Sequence, residues 1–109
     1  MCHFFVAALL LVLWPIQLSA QENGPLSVEG FDQRESYIFM TGVAYGIGYS
    51  NVASLKQGQG EFFCPPWDLD VDGRYLWSLV SKVLTGPQQP DLIVLVALDE
   101  LQRKFPCSE

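Results

Sequence analysis

Two cysteines set the terms on which this chain can fold. Its opening stretch, MCHFFVAALLLVLWPIQLSA, carries an apolar run from Phe4 to Trp14, a break at Pro15 and small residues just before Gln21. That pattern reads as a secretory signal peptide, residues 1–20, cleaved after Ala20; the run is shorter than the roughly 20 apolar residues that a bilayer crossing needs. Cys2 and the only histidine, His3, leave with it. What remains, residues 21–109, is one small domain whose hydrophobic core is marginal by itself, so a covalent staple is expected. Cys64 and Cys107 can supply one in an oxidising compartment. Closing their separation of 43 residues is worth roughly 4 kcal/mol in the chain-entropy model. The alternative is a pair of free thiols.

Every charged residue lies after the cut, so the exported domain keeps the formal net charge of −6 and a pI near 4.5. An acidic exported domain is not built to neutralise nucleic-acid phosphates. It suits a neutral or basic protein surface better, and nothing after the signal reads as a membrane segment.

Along the chain, QENGPLSVEG (residues 21–30) is polar and turn-rich, and is expected to be loosely ordered, with Ser27 or a neighbour starting the first element. Residues 35–56 carry two periods at once. Val43, Tyr45, Ile47 and Tyr49 alternate as a strand would, whereas Ile38, Gly42, Tyr45, Gly46, Tyr49 and Val52 form a helical stripe. Glycine propensity favours the strand and uninterrupted length favours the helix. After QGQGE (57–61), the prolines of CPPW exclude helix. Leu76, Leu79, Val80, Val83 and Leu84 then share a helical face, with Asp72 suited to the N-cap and Val71 and Leu76 to a staple across it. TGPQQ (85–89) reads as a turn. Pro90 and Asp91 open a last helix with Val94, Ala97, Leu98, Leu101 and Phe105 as its stripe, and Pro106 ends it.

Asp68, Asp70, Asp72 and Gly73 have the spacing that opens an EF-hand loop. The bidentate acid at its twelfth position is missing, because Leu79 stands there. The aspartates are therefore read as capping and charging a helix start. With no histidine after the cut and the two remaining cysteines expected to pair, no Cys/His or Ser/His/Asp arrangement is expected, nor a zinc site. No cofactor, metal or catalytic residue is assigned. Gly46 and Gly48 lack the third glycine of a dinucleotide fingerprint, and the glycines here are expected to let another helix approach closely. Trp77 falls beside its helix's stripe, at the core margin or on a contact surface.

The spacing of Gly42 and Gly46, the FCPP at Phe63 to Pro66, the Leu/Val-rich helix and the ending LDELQRKFPC together resemble the Rap/Tai family of type VI secretion immunity proteins. The likeness covers about residues 38–107 and is most specific at Phe63, Cys64 and Pro66 and at Leu98, Leu101, Phe105, Pro106 and Cys107. It implies an all-α fold, a small bundle of three to five helices pinned by one Cys64–Cys107 disulfide. It also implies a periplasmic immunity domain over residues 21–109 whose partner is a secreted peptidoglycan amidase toxin. Met40 stands where many relatives carry a cysteine, and Val43 follows Gly42 where a tyrosine is usual; these departures bear on the partner more than on the fold.

Such an inhibitor occludes a cleft and needs complementarity, not catalytic groups. The expected partner contacts are Gln59 and Glu61 on the first loop, Asp68 and Asp70 on the acidic loop, Trp77, and Gln88 in TGPQQ, with Gly42 and Gly46 as helix-packing positions. A glycine-lined helix is also compatible with a homodimer. The competing reading is a general periplasmic chaperone or stress protein that exposes apolar surface when acid neutralises its carboxylates.

Overall fold

The computed structural model describes residues 24–108, so the signal peptide reading lies outside the described residues. The described chain is mostly helical, in the order β1 (Ser27–Val28), α1 (Gln33–Lys56), α2 (Gly73–Ser81), β2 (Pro87–Gln88) and α3 (Pro90–Lys104). Helix α2 packs against both α1 and α3. The core is one cluster drawn from β1 and the three helices: Leu26 just before β1 and Val28 within it, Met40 and Ala44 of α1, Leu76, Leu79 and Val80 of α2, Ile93, Ala97 and Leu101 of α3, joined by Phe63 from the long loop. No helix among the described residues is long and apolar enough to cross a membrane.

Helix wins over strand in the ambiguous stretch, and α1 runs for 24 residues. The first element does begin at Ser27, but as the short strand β1, and α1 follows it. Asp32 is the N-cap of α1, accepting from the Glu35 N–H while the Glu35 carboxylate accepts from the Asp32 N–H, a reciprocal capping box. Residues 24–30 are correspondingly better held than their polar composition suggests. Leu26 and Val28 are buried, the Val28 N–H donates to the buried Ser36 hydroxyl at 2.9 Å, and the Gln33 amide donates to the Leu26 carbonyl. Gly30, at φ 85°, allows the turn that brings the Phe31 N–H to the Val28 carbonyl.

The TGPQQ segment is more than a turn. Pro87 and Gln88 pair in parallel with Ser27 and Val28, through bonds from the Ser27 N–H to the Gly86 carbonyl and from the Glu29 N–H to the Gln88 carbonyl. Proline is tolerated because this is an edge strand that loses no ladder donor on that side. Helix α2 also stops earlier than its apolar stripe: Leu76, Leu79 and Val80 are buried, but the helix ends at Ser81 and Val83 is exposed. In α3 the buried line is Ile93, Ala97 and Leu101, with Leu98 and Phe105 partly buried against it. Pro90 opens α3 as expected, and Arg103 and Lys104 sit in its last turn, where cations complement the helix dipole.

Cys64 and Cys107 are joined in a disulfide across a sequence separation of 43, with their Cα atoms 4.9 Å apart. The Cys64 N–H donates to the Phe105 carbonyl at 2.8 Å beside it. The loop is held a second time from α1, where buried Asn51 accepts from the Phe62 N–H at 2.6 Å and donates to the Phe63 carbonyl at 2.9 Å and to the Glu61 carboxylate at 3.2 Å. Disulfide and amide together fix Phe63 in the core and hold the chain on either side of it.

Candidate functional site

Helix α1 is apolar on both sides, and the stripe formed by Ile38, Tyr45, Tyr49 and Val52 faces away from the core. Tyr45 is 66% exposed and Tyr49 74%. The buried side instead carries Ser36, Met40, Ala44, Asn51 and Ser54, and three of these are polar. Their burial is tolerable where the hydrogen-bonding groups find partners, as Ser36 and Asn51 do with β1 and the long loop.

The glycine roles change with this orientation. A Cβ built on Gly42 or Gly46 would have nothing within 4 Å, so no other element among the described residues packs against either. Close helix approach occurs at Gly73, where an added Cβ would lie 2.5 Å from Thr41 Oγ1, 2.8 Å from Thr41 Cα and 2.9 Å from Thr41 N. The glycine that completes the calcium-like spacing therefore seats α2 on α1. Asp72 just before it is the N-cap of α2, its Oδ1 accepting from the Tyr75 N–H at 2.8 Å, as the capping reading requires.

That seating opens a groove of about 490 Å³ along the flank of α1. One wall is α1, with Tyr37, Thr41, Tyr45, Gly48, Tyr49 and Val52; the other is the segment Asp70–Gly73 entering α2. The Thr41 hydroxyl is occupied by the Tyr37 carbonyl one turn back. What the groove offers a ligand is therefore tyrosine rings, small apolar surface and carboxylate oxygens. Among the described residues, no hydrogen bond pairs a nucleophile with a base in this groove.

Of the expected contact residues, Asp70 lines this groove, and Asp68 is exposed two residues earlier on the same loop. Between the FCPP and these aspartates stands Trp67, 97% exposed, the most prominent apolar side chain of the loop. Gln59 is exposed on the loop after α1, and Glu61 lies at the Asn51 bond, with its backbone carbonyl 3.6 Å from Cys107 Sγ. Gln88 belongs to β2, its amide donating to the Thr85 carbonyl. Trp77 is half-buried against the core. Only Asp70 of these six shares the groove. Tyr45, Tyr49 and Val52 were missed as contact residues because their helical period is equally that of a core stripe, and no pattern in the sequence singled out Tyr37 or Thr41.

No family model, curated protein or solved structure matches the chain.

Proposed function

We propose that the protein is a periplasmic immunity protein that binds a secreted peptidoglycan amidase and blocks its cleft without turnover. The observation that carries this reading is the groove of exposed tyrosines beside a braced acidic loop. Aromatic side chains left in solvent on a rigid frame are the usual anchors of protein recognition. The frame is braced where an inhibitor needs it, since the disulfide and Asn51 hold the loop that leads into Trp67 and Asp70. A loop ordered before binding loses less entropy on docking. The residue pattern around Phe63–Pro66 and Leu98–Cys107 adds the amidase as the partner and the periplasm as the location.

The test is a titration of the oxidised protein against the product of the gene adjacent to its own, with peptidoglycan hydrolysis followed in parallel. Tight binding with loss of hydrolysis is expected. A neighbour that is bound by nothing in this protein, or that cleaves peptidoglycan equally in its presence, refutes the reading.

A second reading, a general periplasmic chaperone, draws on exposed apolar side chains outside the groove, among them Phe31, Phe62, Leu92 and Leu95. It requires loss of compactness and new dye-binding surface near pH 3. A protein that stays monodisperse and binds no dye there is not that chaperone.

A further inference from the structure

Among the described residues, neither carboxylate of the groove takes part in an ion pair. Asp70 makes no hydrogen bond or ion pair among the described residues, and Asp72 is engaged only through Oδ1, to the Tyr75 N–H. The ion pairs of the described residues belong to Arg103, with Asp99 and Glu100 at the end of α3. Tyr45 and Tyr49, both more than half exposed, line the same groove from α1. A tyrosine ring face is electronegative and attracts a cation lying over it within about 6 Å. Carboxylate and ring therefore favour the same sign of ligand, and the net charge of −6 draws a basic partner toward the surface that displays them.

We propose that this groove takes an arginine side chain from a basic segment of a partner protein. The guanidinium forks onto Asp70 and stacks on a tyrosine ring, while its short alkyl stem lies against the α1 wall beside Gly48. Arginine fits better than lysine because a planar guanidinium can pair with a carboxylate and stack on a ring together, whereas an ammonium is a compact and strongly hydrated point charge. Gly48 adds to the fit, since a side chain there would fill the groove's α1 wall. The inference rests on the reading of the protein as a binding module and adds the chemistry of what it binds.

The test needs no amidase. Two blocked nonapeptides, identical except for a central arginine or its neutral isostere citrulline, are titrated into the isotope-labelled, oxidised protein and followed by NMR. The arginine peptide is expected to shift the amides of Thr41, Gly48 and Asp70–Gly73 and the rings of Tyr45 and Tyr49. The citrulline peptide should bind at least tenfold more weakly. Asp70→Asn should reduce the arginine peptide to the citrulline level at an unchanged melting temperature, and Tyr49→Ala should weaken it as well. Equal affinity for the two peptides, shifts elsewhere on the surface, or none at millimolar arginine peptide overturns the proposal. The two readings fail separately. Arginine binding without inhibition of any amidase removes the immunity function and leaves the groove, whereas an amidase inhibited equally by wild type and Asp70→Asn does the reverse.

Discussion

Three glycines of one chain should respond to alanine with opposite signs. At Gly73 the new methyl would meet Thr41 at 2.5 Å from Oγ1 and at 2.8 and 2.9 Å from Cα and N. The hydroxyl could rotate away, but the two backbone atoms belong to the middle of α1 and cannot. Relief therefore requires α2 to move off α1, loosening Leu76, Leu79 and Val80, which are all buried. Overpacking of this kind costs about 1–3 kcal/mol, and alanine's helix propensity returns at most about 1 kcal/mol. Gly73→Ala should lose about 1–2 kcal/mol, and each kcal/mol lowers the melting temperature of so small a domain by roughly 4–8 °C. Gly42→Ala and Gly46→Ala meet nothing within 4 Å and lie inside an exposed helix face, so each should gain about 0.5–1 kcal/mol. Thermal unfolding of the three oxidised variants, followed by circular dichroism, measures all three signs. A Gly73→Ala variant as stable as wild type refutes the close approach of α2 to α1. A Gly46→Ala variant that loses stability, more so at higher protein concentration, shows instead that a second copy packs on the outward face of α1.

Three further perturbations probe the frame around the groove. Cys64→Ser, or reductant, should remove roughly 4 kcal/mol through the loop of 43 residues; a urea midpoint unmoved by reductant refutes this. Asn51→Ala strips the partners from the Phe62 N–H and the Phe63 carbonyl and should cost about 1–3 kcal/mol, an unchanged urea midpoint being the contrary result. Tyr75 has a buried hydroxyl with no partner among the described residues, while its ring packs near Phe105 and under Lys104. Tyr75→Phe should keep those contacts and raise stability by about 1 kcal/mol, and a clear loss in thermal unfolding would show that the hydroxyl is bonded.

The parts of the fold that were legible in the sequence are those decided locally. Asp72 caps a helix because its carboxylate reaches an N–H three residues on, and Pro90 and Pro106 bracket α3 through what proline does to its own backbone. The parts that were not legible are decided across the chain. The register of α1 depends on Ser36 finding the Val28 N–H and Asn51 finding the 62–63 backbone, bonds that span eight to twelve residues and leave no trace in a period of 3.6. Counted as polar residues, Ser36, Asn51 and Ser54 point the wrong side of the helix outward. The strand pair was invisible for the same reason: two residues at 27–28 and two at 87–88 are too few to show an alternation.

The same inversion makes the groove. Had Ile38, Tyr45 and Tyr49 been core, the segment from Asp68 to Gly73 would have met no exposed tyrosine rings on α1. Because Gly73 lets α2 settle against Thr41, that segment arrives beside the tyrosines with its tasks divided: Asp72 satisfies the helix start through one carboxylate oxygen, Gly73 sets the depth of contact, and Asp70 lines the groove with its carboxylate uncommitted among the described residues. An acid with no hydrogen-bond or ion-pair partner among the described residues, on a loop braced by a disulfide and a buried amide, has its position fixed by residues that have no need of its charge. Substituting Asp70 should therefore change what the groove binds and leave the fold as it is, whereas substituting its neighbour Gly73 should change both together.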